Sequence, residues 1–254
     1  IVGYQRLDEL QESIKYFSTR YKKEDCLDLP EKLYIKRYVE LTTEQKKAYE
    51  QMKKVAIMIL EEETFTTVNV LTQLMRLQQV VAGSLRGPDG KIIKLKNNRL
   101  QSVLDVIEET QGKVVIFGVF HTDIETLAEA LQSKYGKNST ATYYGNTPQS
   151  ERQNIITRFQ DPDSELKYFI SNPMTGGRGI TLTEANVIIY YSNSYDLELR
   201  IQSEDRIHRI GQDNKCTYVD LVSPDTVDEH ILKTLLNKVK ISNEILGEVR
   251  QWFD

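Results

Sequence analysis

The sequence predicts an α/β fold, in which a parallel β-sheet carries helices on both faces and follows a helical region. From about residue 98, short apolar runs alternate with amphipathic stretches of helical length, which is typical of parallel sheets. Before that point, apolar residues recur mainly at helical spacing. We therefore divide the chain into a helical linker or brace region, residues 1–95, and an α/β domain, residues 96–254.

The first region should contain helices and one short strand. Apolar residues at helical spacing predict a helix over residues 7–18, and the alternating segment 33–41 predicts a strand. Thr42 followed by Gln45 is a capping-box pattern, which predicts a helix from Thr42 to about residue 62. A further helix and a turn are expected at residues 66–81 and 87–90.

The second region should supply the parallel sheet. Apolar runs of strand length predict its strands at residues 114–117, 142–144, 167–171, 187–191 and 216–222. The intervening patterns predict helices that end near residue 134, run over residues 148–160 and 196–209, and begin near residue 226.

Composition excludes several functional classes. The chain has 33 basic and 37 acidic side chains, a net charge of −4, so any nucleic-acid binding must come from a local patch. No apolar run approaches the roughly 20 residues of a membrane helix, and we expect no membrane contact. Cys26 and Cys216 are isolated and the three histidines lack ligand spacing, which predicts no metal site and a reducing, intracellular location.

The segment 202–212, with the sequence QSEDRIHRIGQ, is a candidate phosphate site. On a helix, Gln202, Arg206 and Arg209 would form one polar stripe, and two arginines one turn apart suit phosphate oxygens. Taken alone, such a stripe is more often a solvated face, here with Glu204 and Asp205 as its partners.

A glycine-rich segment, residues 172–192, lies between two predicted strands. Gly176, Gly177 and Gly179 permit close backbone approach and positive φ, so the loop can turn its amides toward a phosphate. The segment is no dinucleotide fingerprint, because Leu182 replaces the third glycine and a strand follows where a helix is required. By itself, a glycine-rich turn is the simpler interpretation.

Taken together, four segments resemble the second RecA-like motor lobe of the Swi/Snf-like remodelling ATPases in helicase superfamily two. In order and spacing they match that family's motif IV, the motif after it, motif V and motif VI. They are VVIFGVFHTDIETLAEAL (114–131), TYYGNTPQSERQNIITRFQ (142–160), TGGRGITLTEAN (175–186) and QSEDRIHRIGQ (202–212). The sequence departs from the family pattern at Asn172-Pro173, Thr181 and Ser192.

The resemblance implies half of a motor. No GxxxxGK[ST] loop occurs in the sequence, so ATP and Mg²⁺ would be bound mainly by a first ATPase lobe that this sequence lacks. Ile1 in place of Met agrees with a chain that begins inside a longer one. The partners implied are double-stranded DNA and the N-terminal ATPase lobe of the same protein.

The resemblance also implies roles for single residues. Arg206 and Arg209 would be the catalytic arginine fingers and, with Gln202 and Gly179, would bind ATP. DNA-backbone contacts are implied for His121, Thr122, Thr175, Gly176 and Gly177.

The implied function is a C-terminal lobe of a DNA-dependent ATPase that translocates along duplex DNA. The alternatives are a lobe of an RNA or single-strand helicase and a non-catalytic scaffold lobe. The compact linker favours a minimal viral or bacterial member. The location would be the cytoplasm of a bacterium or a virus-infected cell, or the nucleus of a eukaryote.

Overall fold

The structure, a computed structural model, describes residues 9, 12–14, 16–17, 23–61, 67–87, 91–177 and 179–245. The helix predicted at 7–18 and the turn predicted at 87–90 lie largely outside these residues. Within the described ranges, no helix combines the length and apolar character needed to cross a membrane.

Helices and strands alternate along the described chain. The helices are α1 (Lys23–Cys26), α2 (Thr43–Glu61), α3 (Thr67–Ala82), α4 (Arg99–Glu109), α5 (His121–Tyr135), α6 (Gln149–Gln160), α7 (Pro173–Gly176), α8 (Leu197–Glu204) and α9 (Val227–Ile245), with a 3₁₀ turn at Lys137–Ser139. The strands are β1 (Lys32–Tyr38), β2 (Ser84–Arg86), β3 (Ile92–Lys94), β4 (Lys113–Phe117), β5 (Thr140–Tyr143), β6 (Tyr168–Ser171), β7 (Ala185–Tyr190) and β8 (Cys216–Val222).

A six-stranded sheet with the order β1-β8-β7-β4-β6-β5 forms the centre of the molecule, and every pairing in it is parallel. Strand β4 lies inside this sheet, and all five of its residues are buried. The short strands β2 and β3 form a separate antiparallel hairpin. The predicted parallel sheet is therefore confirmed.

Apolar clusters cover both faces of the sheet. On one face, α4 and α5 pack against alternate residues of β4, β6 and β7, among them Val114 and Ile116. On the other face, α6 and the segment 180–207 pack against the intervening residues, including Val115 and Phe117. Because successive strand residues point to opposite faces, continuous apolar runs were required at these strands. Helices on both faces, as in RecA-like domains, are thus confirmed.

The region before residue 96 also contributes to this sheet. Strand β1 pairs with β8 along its whole length, from Lys32 beside Cys216 to Tyr38 beside Val222. The residues predicted as a short strand therefore form an edge of the main sheet, and the region is not purely helical. The division of the chain at residues 95 and 96 stays a prediction.

The helical hairpin α2–α3 begins with the predicted capping box. The Gln45 amide nitrogen donates to Thr42 Oγ1 at 3.2 Å, and the Thr42 amide donates to Gln45 Oε1 at 3.1 Å. The buried Gln45 side chain also donates to the carbonyl oxygens of Val80 and Val81, each at 3.0 Å. One side chain thus begins α2 and fixes the end of α3 against it.

Helix α4, which the sequence analysis did not predict, introduces a buried ion pair. Arg99 is 1% exposed, and its guanidinium contacts the Asp228 carboxylate at the start of α9. It also donates to the carbonyl oxygen of Tyr191 and, at 3.2 Å, to Ser223 Oγ. Arg99 therefore joins α4, α9 and the end of β7.

We expect Arg99→Met to lower the free energy of unfolding by about 3–5 kcal/mol, because the Asp228 charge would remain buried without its partner. Arg37→Met is the matched control, since it removes the ion pair between Arg37 and the exposed Glu109, and should cost about 1 kcal/mol or less. Urea unfolding measures both changes. Equal losses in the two variants would contradict the role of Arg99.

Candidate functional site

Helix α8 ends at Glu204, five residues earlier than predicted. Arg206 and Arg209 lie beyond it, in an irregular segment, residues 205–212, that we call the arginine loop. The predicted helical stripe is therefore wrong. The helical hydrogen-bond pattern breaks here, because the amides of Arg206 and Ile207 donate to carbonyl oxygens three residues earlier, at Ser203 and Glu204. The Arg206 carbonyl oxygen accepts from the Leu182 amide, which ties the segment to the preceding loop.

The two arginines nevertheless lie near each other, because they reach consecutive residues of the preceding glycine-rich segment. Arg206 Nη1 donates to the Ile180 carbonyl oxygen at 3.2 Å, and Arg209 Nη1 donates to Thr181 Oγ1 at 2.9 Å. Burial, and then the charge of Arg209, lower the pKa of Arg206. Two guanidiniums this close form a site that favours an anion.

The acidic residues beside the arginines are paired with other cations. The Glu204 carboxylate accepts from Arg200 at 2.9 Å and from Lys32 at 3.1 Å, and Asp205 accepts from Lys23 at 2.8 Å. Among the described residues, no carboxylate lies within ion-pair distance of Arg206 or Arg209. The interpretation of a solvated face, in which Glu204 and Asp205 form ion pairs with the two arginines, is therefore wrong.

Gln202 and Gly179 lie beside the same two arginines. The carbonyl oxygen of Gln202 accepts from Arg206 Nε at 2.8 Å, and the Gln202 side chain donates to Glu198 at 2.6 Å. Gly179 precedes Ile180 and has a φ of +69°, a left-handed conformation that glycine adopts without strain. The structure thus brings together the four residues for which the resemblance implied ATP binding.

Gln212 holds this arrangement together, although the sequence analysis gave it no role. Its side-chain nitrogen donates to the carbonyl oxygens of Ala185 at 2.8 Å, Thr183 at 3.1 Å and Ile207 at 3.2 Å. Ile207 itself is fully buried in the core between the two arginines. The arginine loop is therefore fixed to the start of β7 by one amide and one apolar anchor.

The predicted DNA-contacting residues lie at the carboxyl ends of the adjacent strands β4 and β6. In and after α7, however, the amides of Thr175, Gly176 and Gly177 all donate within the turn, to Asn172 and Pro173. The expectation that these amides turn toward a phosphate is therefore wrong for this conformation.

Two of the glycines are required by packing. A Cβ at Gly177 would lie 2.2 Å from the Pro173 carbonyl oxygen, and one at Gly176 would lie 2.3 Å from Ser171 Oγ. Neither residue has a positive φ. Tight packing, and not φ, therefore explains glycine at these two positions.

His121 and Thr122 occupy the first turn of α5, directly after the β4 loop. The first amides of any helix have no partner within that helix, which makes such a terminus suited to anions. The exposed His121 ring lies edge-on to Tyr144, with 5.1 Å between centroids, and Thr122 Oγ1 is 3.4 Å from Ser84 Oγ. Tyr144 is buried.

The same turn contains a buried carboxyl group, Asp123. It accepts hydrogen bonds from Ser192 Oγ at 2.7 Å and from the Phe120 amide at 3.3 Å, and the Val119 amide donates to Ser192 Oγ at 2.8 Å. Burial raises the pKa of Asp123 to about 7, against the opposing effects of these hydrogen bonds and of the Arg99 charge. Ser192, a departure from the family pattern, thus ties β7 to the turn before α5.

His208 lies in the arginine loop, directly before Arg209. The side chain is buried, and Nε2 lies 2.8 Å from the Pro30 carbonyl oxygen, to which it can donate. Burial, and the nearby Lys32 and Lys23 charges, lower the pKa of His208. A neutral imidazole therefore links the arginine loop to the segment before β1.

One domain family and two known proteins show what the chain is similar to. The helicase conserved C-terminal domain matches residues 95–211. The mouse SWI/SNF-related matrix-associated actin-dependent regulator of chromatin subfamily A member 1 is 28% identical over 98% of this chain and 25% of its own length. An uncharacterized ATP-dependent helicase of Mycoplasma genitalium, MG018, is 24% identical over 99% of this chain and 24% of its own length.

Solved structures agree on the fold. The Sulfolobus solfataricus SWI2/SNF2 ATPase core in complex with double-stranded DNA has a TM-score of 0.65 and 24% identity, over 95% of this chain and 52% of that one. The C-terminal part of the Fun30 ATPase domain has a TM-score of 0.66 and 18% identity, over 87% of this chain and 99% of that one.

The family follows from these matches and from the motifs. The matches support a Snf2-like C-terminal lobe of helicase superfamily two, the family that the motifs predicted. The chain spans about a quarter of the length of the curated relatives that it matches.

We expect Asp123 to make stability depend on pH. Its pKa is near 4 in an unfolded chain and about 7 in the folded one, so the folded state holds the proton more tightly. The contribution of Asp123 to the free energy of unfolding is complete below pH 4 and is lost as the pH rises through 7. Over this range the free energy of unfolding should fall by at most about 1.4 kcal/mol per pH unit.

Urea unfolding between pH 4 and 8 measures this slope, and Asp123→Asn should remove it and raise stability at pH 8. Asp163→Asn, which changes an exposed carboxyl group, is the control and should leave the slope unchanged. An identical slope in the wild type and in Asp123→Asn would contradict the assignment.

Proposed function

We propose that this Snf2-like C-terminal lobe supplies arginine fingers and DNA-backbone contacts to a DNA-stimulated ATPase that translocates along double-stranded DNA. The observation that supports it best is the pair Arg206 and Arg209. Both reach the Ile180–Thr181 segment, and neither has a carboxylate partner among the described residues. Such a cation pair fits the oxygens of a triphosphate.

The proposed division of labour follows from what the chain contains. ATP and Mg²⁺ would bind mainly to an N-terminal ATPase lobe of the same protein, because this sequence has no phosphate loop. When bound there, Mg²⁺ would neutralise charge on the β- and γ-phosphates. The described residues contain no cluster of three or more His, Cys, Asp or Glu side chains that could hold a metal.

The two arginines would act when the lobes close. Arg209 is exposed and held by one neutral hydroxyl, so it can exchange that contact for the γ-phosphate. Arg206 is half-buried and bound to two backbone carbonyls, so it would add charge from a fixed position. Arginine fingers accelerate phosphoryl transfer by about 10³–10⁵. Gln202 and Gly179 would line the same side of the nucleotide.

DNA contact would be made at the carboxyl ends of β4 and β6. We assign the first amides of α5 and the side chains of His121, Thr122 and Thr175 to strand phosphates, with Gly176 and Gly177 shaping the turn beside them. The Sulfolobus relative was solved with double-stranded DNA. Opening and closing of the two lobes would then move the lobe along the strand.

We expect Arg209→Ala, in a complete protein with both lobes, to lower kcat by about 10²–10⁴ with little change in ATP affinity, because a finger acts in the closed transition state. Arg209→Lys should restore little, since an ammonium lacks the planar fork. A steady-state ATPase assay with saturating DNA measures both.

Arg158→Ala is the matched control, because among the described residues this exposed arginine at the end of α6 has one hydrogen bond, to the Asn138 carbonyl oxygen at 3.5 Å. Its kcat should equal that of the wild type. Wild-type turnover in Arg209→Ala would overturn the proposed function. The present chain alone should show no ATP turnover.

We expect the chain to bind duplex DNA weakly, with an affinity that falls roughly 10- to 100-fold between 50 and 200 mM salt, because a few phosphate contacts would carry the binding. Thr122→Val keeps the shape of the side chain and should weaken binding about tenfold, the effect of one hydrogen bond to a charged group. Thr234→Val, in α9, is the control. Fluorescence anisotropy measures all three, and salt-independent binding would contradict the assignment.

A further inference from the structure

The segment before β1 grips the arginine loop, although the two are about 180 residues apart in sequence. Lys23 Nζ donates to Asp205 Oδ1 at 2.8 Å and also to the carbonyl oxygen of His208. The His208 ring in turn contacts the Pro30 carbonyl oxygen. Asp205, next to Arg206, and His208, next to Arg209, are therefore both held by the segment before β1.

The first residues of β1 hold the end of α8 in a similar way. Lys32 Nζ lies 3.1 Å from Glu204 Oε2 and 3.8 Å from Asp205 Oδ1, and Tyr34 Oη donates to Glu204 Oε2 at 2.8 Å. The helix ends at this residue. We call Lys23, Pro30, Lys32 and Tyr34 the loop-contact residues.

Lys23 ties two points of the arginine loop together. Its ammonium binds the Asp205 side chain and the His208 carbonyl oxygen, which lie on either side of Arg206 and Ile207 in the sequence. The Lys23 and Asp205 side chains are about one-third exposed, so this pair is less screened than an open surface pair. The bend that turns Arg206 and Arg209 toward Ile180 and Thr181 therefore depends in part on Lys23.

We infer that Lys23 is a positioning residue for Arg206 and Arg209: its ammonium holds the bend of the arginine loop. The effect on catalysis rests on the proposed function, whereas the effect on the loop does not. Lys23 lies at the start of the segment before β1. A shift of this segment would therefore move the arginine loop, and both guanidiniums with it.

A simple contribution to global stability is the competing explanation, and the chain offers a matched control for it. Lys215 pairs with Glu31 at 2.9 Å, so it also joins the segment before β1 to the region after the arginine loop. Both side chains of this pair are largely exposed, and no carbonyl or carboxylate of the arginine loop takes part in it. Lys215→Met therefore removes a lysine–carboxylate pair from the same segment without touching the bend.

Hydrogen exchange on the chain itself tests the structural part. We expect Lys23→Met to speed amide exchange in residues 205–212 by about three- to tenfold, because the arginine loop loses its hydrogen bonds to the Lys23 ammonium. Exchange in the strands of the sheet should be unchanged. Lys23→Arg, which keeps a cationic donor, should restore protection, and Lys215→Met should leave residues 205–212 as in the wild type. Unchanged exchange in Lys23→Met, or an equal increase in Lys215→Met, would overturn the inference.

A double-mutant cycle in the complete two-lobe protein tests the catalytic part. Lys23→Met should lower kcat about three- to tenfold with KM for ATP unchanged, and Lys215→Met should not. If Lys23 acts through Arg209, adding Lys23→Met to Arg209→Ala should lower kcat little further, whereas independent effects would multiply.

The two failures are distinguishable. Wild-type kcat in Arg209→Ala would refute the proposed function, while the exchange measurement would still decide whether Lys23 holds the loop. A low kcat in Arg209→Ala together with full multiplication in the double variant would refute the positioning role alone.

Discussion

The buried guanidinium of Arg200 is the constraint on which the site depends. It lies 3.6 Å from the centroid of the Tyr190 ring and donates hydrogen bonds to both carboxylate oxygens of Asp220. It also donates to Glu204, one turn later in the same helix. A buried guanidinium is tolerated only when such partners are complete, because desolvation otherwise costs several kcal/mol. Arg200 therefore fixes α8 against β7 and β8 in one orientation. The position at which the arginine loop begins follows from that orientation.

This network also determines which charges remain available. Glu204 is taken by Arg200, Lys32 and Tyr34, and Asp205 is taken by Lys23 and Lys32. The acids that stand next to Arg206 in sequence therefore form their ion pairs with other cations and none with Arg206 or Arg209. An anion that enters the site meets two cations whose charge is not already neutralised by a carboxylate, and it has no ion pair to break. The loop-contact residues therefore determine the charge of the site, because they bind the acids that would otherwise be available to its arginines.

Much of the fold could be predicted from the sequence, because a parallel sheet buried on both faces needs continuous apolar runs that a reader can see. The strand at Cys216–Val222 and the capping box at Thr42 are local patterns, and both were predicted correctly. The end of α8, the burial of His208 and the place of β1 in the sheet were not predictable in this way. Each depends on a partner far away in sequence, such as Lys23, and tertiary hydrogen bonds there override helical periodicity.

The departures from the family pattern fit this electrostatic design. Thr181 accepts the hydrogen bond from Arg209. A neutral hydroxyl contributes about 1 kcal/mol to such a contact, whereas releasing a guanidinium from a partly buried carboxylate would cost about 3 kcal/mol or more. In the proposed function, Thr181 would therefore orient Arg209 and still yield it to a phosphate when the lobes close. A hydroxyl at this position would preserve the exchange that an arginine finger needs, which favours the proposed function over a scaffold lobe.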